Sequence, residues 1–206
     1  MKKLYFCLMA VLAFATLTFA QTPEEILARM DKAMAAAEKK GMSMAMDLKI
    51  PIIGTTTAMM YAIGDRTKTE TTMLGHKIIT YSDGTSEWEY DTVDNKITIT
   101  SVKPGGDSSE AELFSSITDG YDVTIKKETA DAWYLQCKKS KTNTEKEDPD
   151  KIDLVVSKTT DMPISLTTKV SGIKITLRDV KLGVTEDEMY FNPDDYPDAK
   201  IIDERK

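Results

Sequence analysis

The sequence has 206 residues, with 27 Lys and Arg against 34 Asp and Glu, and a formal net charge of −7 at pH 7. This acidic balance argues against nucleic acid as a partner and against electrostatic binding to anionic membrane surfaces. His76 is the only histidine, so no Ser/His/Asp arrangement and no two-histidine metal site can be built without it. We therefore expect a protein that is not an enzyme, with no catalytic residues, no metal ligands and no cofactor.

The first twenty residues have the three parts of a secretory signal peptide. Lys2 and Lys3 are followed by an uncharged, mostly apolar run over residues 4–19, and small residues surround Ala20. Cleavage after Ala20 is preferred to cleavage after Ala15, which would leave a very short apolar core. The sequence thus predicts a periplasmic protein with a signal peptide over residues 1–20 and a single domain over residues 21–206.

The mature chain is predicted to begin with a helix over residues 22–40. Thr22 and Glu25 have the spacing of a capping box, and Pro23 stands at the first helical position. Apolar residues then recur at helical spacing and make one stripe along the helix, formed by Ile26, Leu27, Met30, Ala33, Met34 and Ala37. Gly41 is a suitable residue to end the helix.

After residue 41 the hydrophobic period changes from 3.6 to 2, which is typical of half-buried strands. The pattern predicts eleven short strands in meander order, at residues 42–50, 55–63, 66–73, 76–81, 86–91, 96–102, 121–127, 132–139, 151–157, 163–170 and 173–182. The phase of the last strand slips, which indicates a bulge near Arg178 and Asp179. A second capping box predicts a short mid-chain helix over residues 109–117, which carries Phe114.

These elements predict an incomplete, unclosed antiparallel β-barrel of about eleven strands, with the two helices as plug or lid. A barrel of about eight strands fills its interior with its own side chains, whereas a wider sheet encloses space. Methionine suits the wall of such a space, since it adapts to ligands of imprecise shape. The alternative is that these methionines simply form a methionine-rich core, and the methionine pattern by itself favours this alternative. Cys137, the one cysteine outside the signal peptide, is expected to be a buried and inert thiol.

Two segments are more specific than the periodic patterns. Residues 79–90 read Ile-Thr-Tyr-Ser-Asp-Gly-Thr-Ser-Glu-Trp-Glu-Tyr, a strand, a tight turn at Asp83-Gly84 and a Trp-x-Tyr strand. The end of the chain, residues 189–193 and 201–206, has an aromatic strand, a proline and a closing Asp-x-Arg. Both segments resemble the outer-membrane lipoprotein carrier family, LolA, and the resemblance implies an incomplete barrel whose helices close over an apolar cavity. It also implies the transport of acylated lipoproteins from an inner-membrane exporter to an outer-membrane receptor.

The predicted function is accordingly a monomeric periplasmic carrier of lipoprotein acyl chains. The alternatives are a lipid-sensing or lipoprotein-sensing regulatory module, or a carrier of another lipid on the same fold. The acyl chains are predicted to contact Met30, Met34, Met42, Met44, Met46, Met59, Tyr61, Trp88, Tyr90 and Phe114. The family uses an arginine to hold its lid closed, and Arg66 is the nearest candidate for this lid contact.

Overall fold

The structure, a computed structural model, describes residues 21–102, 120–146 and 148–205. The predicted signal peptide and the predicted mid-chain helix lie outside these residues. Helix α1 spans Pro23–Glu38. Its capping box is formed as predicted: the Thr22 hydroxyl accepts a hydrogen bond from the Glu25 N–H (3.3 Å), and the Glu25 carboxylate accepts one from the Thr22 N–H (3.1 Å). The helix ends two residues earlier than predicted.

Twelve strands follow within the described residues. They are β1 (Met42–Ile50), β2 (Gly54–Ile63), β3 (Arg66–Met73), β4 (His76–Ser82), β5 (Ser86–Asp91), β6 (Lys96–Ser101), β7 (Tyr121–Glu128), β8 (Ala132–Lys139), β9 (Lys151–Ser157), β10 (Pro163–Val170), β11 (Ile173–Leu182) and β12 (Lys200–Asp203). The first eleven agree with the predicted strands to within one residue at each end. A one-turn helix α2 (Glu186–Met189), a 3₁₀ turn (Pro193–Asp195) and β12 were not predicted.

The strands form one sheet with the order β12-β6-β5-β4-β3-β2-β1-β11-β10-β9-β8-β7. Every neighbouring pair is antiparallel except β12 and β6, which run parallel. Strands β12 and β7 are the two edges and do not pair with each other in the described part of the chain. The sheet is therefore open, which confirms the predicted incomplete barrel with an amino-terminal helix.

The predicted bulge lies in β11. Ser43 is opposite Lys181 and Ala45 is opposite Arg178, so Asp179 and Val180 together face Met44. Asp179 has a φ of 56°, in the left-handed region. The extra residue shifts the alternation of β11 by one position. For this reason Leu177 and Leu182 both lie on the same side of the sheet.

The two sides of the sheet can be named from β1. The helix face carries Met42, Met44 and Met46, and the reverse face carries Ser43, Ala45 and Asp47. Directly opposite residues on neighbouring antiparallel strands share a face, so the registers assign every antiparallel strand to these two faces. Helix α1 packs on the helix face of β1 and β7–β11, which we call the helix half.

In β3–β6 the buried apolar side chains lie on the reverse face instead. Ile79, Tyr90, Ile97 and Ile99 form a second buried cluster there, beneath Phe191, Tyr196 and Ala199. We call β3–β6 the C-terminal half, since the segment after β11 covers it. The helix face of these strands carries polar side chains, such as Thr69, Thr80 and Glu89. The two halves of the sheet thus bury their apolar side chains on opposite faces.

Candidate ligand-binding site beneath the helix

The buried side of α1 is the stripe that the sequence predicts. Ile26 and Met30 are fully buried, and Leu27 and Met34 are 4% exposed. Residues separated by three or four positions lie on one side of a helix, so these four side chains form one continuous apolar strip. The strip faces the sheet, where Leu135, Leu154 and Leu166 are among the buried side chains that it meets.

Methionine is unusually frequent in this layer. The buried cluster and the side chains packed against it include seven methionines: Met30, Met34, Met42, Met44, Met46, Met60 and Met162. An unbranched thioether side chain has three rotatable bonds and can repack around a neighbour of variable shape. The interface between α1 and the sheet is therefore more adaptable than one built from branched aliphatic residues alone.

The structure divides the predicted acyl-contact residues into two groups. Met30, Met34, Met42, Met44 and Met46 meet beneath α1. These five side chains come from one helix and from the strand that follows it in the chain, so they form a continuous part of the apolar layer.

The remaining residues lie elsewhere. Met59 is opposite Ala45 and Tyr61 is opposite Ser43, so both belong to the reverse face. Trp88 and Tyr90 are also on the reverse face, in the cluster of the C-terminal half. Phe114 lies outside the described residues. The predicted set therefore does not form a single wall.

Met60 and Met162 also belong to this layer, and neither is among the residues that the sequence predicts to contact acyl chains. Met60 is directly opposite Met44. The feature that could have identified Met60 is the length of the turn between β1 and β2. Residues 51–53 connect Ile50 to Gly54, so even-numbered residues of β1 are opposite even-numbered residues of β2. Met162 precedes β10 and is 7% exposed. No periodic pattern includes it, because it lies in a turn.

A polar contact holds the margin of α1. The Arg29 Nε donates to the Asp161 carboxylate at 3.1 Å, and the Arg29 guanidinium lies 5.0 Å from the centre of the Trp133 ring. Asp161 lies in the turn between β9 and β10, so this ion pair joins the helix to the sheet. Both side chains are about one third exposed (34% and 32%). Such a pair contributes at most about 1 kcal/mol, which makes it a weak latch.

Arg66, the residue suggested for the lid contact, lies elsewhere. It is opposite Ile63 and so belongs to the reverse face. Its guanidinium donates to the carboxylate of Glu186 in α2 at 3.4 Å. The hydrogen bonds to Glu186 raise the pKa of Arg66. In the described residues Arg66 therefore connects β3 to the C-terminal segment, and Arg29 is the arginine that connects α1 to the sheet.

A crevice of about 420 Å³ opens between α1 and the edge strand β7, lined by Glu24, Leu27, Ala28, Asp31, Tyr121, Asp122 and Val123. Burial, with a smaller contribution from the charge of Asp148, raises the pKa of Tyr121 to about 12. The Tyr121 hydroxyl donates to the Pro149 carbonyl at 3.0 Å. The crevice therefore has apolar side chains from both elements, a neutral tyrosine and a carboxylate rim.

Cys137 lies in the same buried cluster and is fully buried. Burial raises the pKa of its thiol to about 11, so the thiol is neutral at physiological pH and lacks the character of a nucleophile. This confirms the predicted burial of the cysteine. Over the described ranges, no group of three or more His, Cys, Asp or Glu side chains is arranged to hold a metal ion.

The two segments that carry the family resemblance meet in space. The Asp83 carboxylate accepts hydrogen bonds from the Thr85 and Ser86 N–H groups, both at 2.8 Å, and so closes the turn after β4. Arg205 pairs with Asp203 at 2.6 Å and reaches the Ser86 hydroxyl at 3.5 Å. The closing Asp-x-Arg thus lies beside the Ser-Asp-Gly turn.

No protein-family model matches the sequence, and no curated protein matches it either. No helix among residues 21–102, 120–146 and 148–205 is both long and apolar enough to cross a membrane. The chain is similar to the crystal structure of an uncharacterized conserved protein from Thermus thermophilus, with a TM-score of 0.53 and 16% identity over 89% of this chain and 99% of that one. At this identity the likeness shows the fold alone.

Two further solved structures are similar at lower TM-scores. One is a LolA superfamily protein from Nitrosomonas europaea, with a TM-score of 0.36 and 13% identity over 84% of this chain and 99% of that one. The other is the MucA/MucB complex of Pseudomonas aeruginosa, with a TM-score of 0.46 and 12% identity over 82% of this chain. This chain spans 60% of the length of that matched chain.

Proposed function

We propose that the protein is a non-enzymatic periplasmic carrier that shelters acyl chains between α1 and the helix face of the sheet. The proposal rests on the composition and packing of the apolar layer between α1 and the sheet. An amphipathic helix covers a methionine-rich apolar face of an open sheet, and a partly exposed ion pair holds its margin. The crevice beside β7 gives a route into the layer. On this proposal, the methionines provide a wall that reshapes itself as cargo enters.

The energies of helix and cargo are of similar size. Burying Ile26, Leu27, Met30 and Met34 stabilises the docked helix by roughly 6–12 kcal/mol, at about 1.5–3 kcal/mol for each side chain. An acyl chain of about sixteen carbons gains on the order of 12 kcal/mol on leaving water. An acyl chain can therefore replace the contacts of α1 with the sheet at little net cost in free energy. Release then needs only that α1 returns to the sheet.

The cargo that fits this description is the acylated end of a lipoprotein, and another acyl lipid is the alternative. An acyl chain in water needs protection during transfer between membranes, and the signal peptide predicted over residues 1–20 would deliver the protein to the space between them. The partners would be an inner-membrane exporter that loads the carrier and an outer-membrane receptor that unloads it.

The test is fluorescence titration of the purified protein with an acylated lipopeptide. Met44 is 2% exposed at the centre of the layer, so Met44→Asp should weaken lipopeptide binding by at least tenfold, because a carboxylate is costly to desolvate against an acyl chain. Met46→Asp, at a half-buried position on the same face, provides a second variant if Met44→Asp does not fold. Unchanged binding in a folded variant would contradict the proposed site.

A matched control is Met73→Asp, since Met73 lies at the end of β3 and is 39% exposed. This variant should bind lipopeptide like the wild type. Arg29→Gln tests the latch without changing the apolar wall. It should increase the rate at which lipopeptide binds, because α1 then loses its ion pair with Asp161. A slower rate would show that Arg29 recruits cargo instead.

A further inference from the structure

Five lysines lie side by side across the reverse face of the helix half, at the end of the sheet where residues 51–53 join β1 to β2. Lys49 of β1 is opposite Lys174 of β11, and Lys174 is opposite Lys169 of β10. Ile152 of β9 is opposite Thr168 of β10, so Lys151, which precedes Ile152, lies next to Lys169, which follows Thr168. Lys151 is itself opposite Lys138 of β8. We call these five residues the lysine row. At the spacing of neighbouring strands, it is about 19 Å long.

This arrangement is unfavourable in isolation, because like charges directly opposite each other on a sheet destabilise it. Lys151 pairs with Asp153 at 2.9 Å. Within the described residues, the other four lysines have no carboxylate within ion-pair distance; Asp122 lies opposite Lys138 on β7 without forming a pair. All five side chains are exposed. A protein with a net charge of −7 thus concentrates unpaired positive charge along one line.

The row borders a groove of about 440 Å³ that contains four of the lysines together with Pro51, Asp153, Thr167, Thr168 and Gly172. Thr167 and Thr176 lie in the next row of the same face, with their hydroxyls 3.2 Å apart. The groove therefore offers ammonium groups and hydroxyls. Both are donors that bind the oxygens of a phosphate group.

Apolar side chains project from the same end. Ile52 and Ile53, in the turn after Pro51, are 107% and 52% exposed. Ile52 has a φ of 73°, a conformation that is unfavourable for a β-branched residue and that glycine or asparagine would adopt more easily. The turn therefore holds a large apolar side chain in water where a small polar residue would be more stable.

We propose that this end of the sheet docks on a bilayer that contains anionic phospholipid. The lysine row faces the phosphate groups of the lipids, and Ile52 and Ile53 enter the boundary between headgroups and acyl chains. Charge complementarity selects the surface, since each lysine near an anionic membrane strengthens attachment. The net charge of the chain argues against binding to anionic membranes, but net charge is an average over the whole chain, whereas the positive charge of the lysine row is local. The proposal does not depend on the carrier function.

The experiment is co-sedimentation of the protein, as purified from the cells that make it, with vesicles of phosphatidylcholine alone or mixed with phosphatidylglycerol. We expect binding to the mixed vesicles only, and a loss of binding at high salt. The triple variant Lys49→Gln, Lys169→Gln and Lys174→Gln should bind the mixed vesicles at least about tenfold more weakly. The matched triple variant Lys126→Gln, Lys127→Gln and Lys181→Gln changes the same charge at the opposite end and should bind like the wild type.

Ile52→Asp should also weaken vesicle binding, whereas Ile164→Asp, at an exposed position at the opposite end of the sheet, should not. The proposal is overturned if the wild type binds neither vesicle, if it binds both equally, or if the two lysine triples lose binding equally. It is also overturned if soluble glycerophosphoglycerol or inorganic phosphate competes fully at millimolar concentration, which would indicate a site for a free anion. Lipopeptide affinity should be the same in all of these variants.

Discussion

The two halves of the sheet bury their apolar side chains in different ways. In the helix half, aliphatic residues and methionines pack beneath α1, and the ion pair of Arg29 with Asp161 holds the margin of the helix. In the C-terminal half, aromatic rings pack between sheet and cover: Tyr90 lies 4.2 Å from Tyr196, and Tyr81 lies 5.8 Å from Phe191, measured between ring centres.

The covers also differ in their polar anchors. The segment after β11 is held by several polar contacts. The Lys68 Nζ donates to the Glu188 carbonyl at 2.9 Å, and the Asn95 amide donates to the Asp198 carbonyl at 2.9 Å. Polar contacts of this kind specify one geometry, whereas apolar packing against methionine tolerates several. We interpret the C-terminal half as a fixed framework and the helix half as the part that can open.

The largest loss of stability is expected when a substitution leaves a cavity in the buried cluster of the C-terminal half. Ile97 is fully buried in the cluster of the C-terminal half. Ile97→Ala should lower the free energy of unfolding by about 2–5 kcal/mol, because the lost apolar contacts are not replaced. Urea unfolding measures the change. Val93→Ala, at an exposed position in the turn before β6, should stay within about 0.5 kcal/mol.

The same variant tests whether the halves act separately. Lipopeptide affinity should not change in Ile97→Ala, because Ile97 lies on the face opposite the methionine layer. A loss of affinity as large as that of Met44→Asp would show that the two clusters act as one unit.

A smaller loss of stability is expected when Lys68, which binds the segment after β11, is replaced. Lys68 is only 9% exposed, and its ammonium group pairs with Glu70 at 3.0 Å. Burial opposes ionisation of Glu70, but hydrogen bonds from Lys77 and Lys68 outweigh this effect and lower its pKa. Lys68→Met removes the bond to Glu188 and one of the two lysine partners of Glu70. It should cost about 1–3 kcal/mol in urea unfolding.

The comparison for this variant is Lys77→Met. Lys77 also pairs with Glu70, at 2.9 Å, but its side chain is 46% exposed. Its removal should cost less than about 1 kcal/mol. If both substitutions cost the same, the contact between Lys68 and the C-terminal segment contributes nothing.

The smallest effect is expected at the surface of the helix half. Arg178 binds Asp47 through two hydrogen bonds, of 2.7 and 3.1 Å, and so connects β11 to β1. These bonds, above all, lower the pKa of Asp47 from its ordinary value of 3.8. Because the side chains are 41% and 25% exposed, Asp47→Asn should cost less than about 1 kcal/mol at neutral pH.

The pH dependence of this cost follows from the lowered pKa. The contribution of Asp47 is fully present above the ordinary pKa and is lost as the pH falls through the folded value. The stability difference between wild type and Asp47→Asn should therefore be constant at neutral pH and shrink below about pH 4. Unfolding curves across this range measure the difference.

Much of the fold could be predicted because its signals are local. The capping box of Thr22 and Glu25 and the apolar stripe behind it identified α1, and alternation located eleven strands. The predictions failed where partners are distant in the sequence. Strand β12 has only four residues and pairs in parallel with β6, and neither its length nor its composition distinguishes it from a loop.

The candidate site was only partly predictable for a related reason. Alternation shows which residues of one strand share a face, but it does not show which face that is relative to another strand. Met59 and Met60 are both plausible partners of Met44 until the turn over residues 51–53 sets the register. Trp88 and Tyr90 alternate as clearly as Met42 and Met44, yet they face the other way.

By itself, the sequence determined the type and extent of α1 and of most strands, because caps, turns and periodicity act over a few residues. It also determined that the amino-terminal part is rich in methionine. The tertiary structure alone decided which side of each strand is covered and by what, because pairing across the sheet joins residues far apart in the chain. It also decided that five lysines from five separate strands lie in one row, since each of them is unremarkable in its own segment.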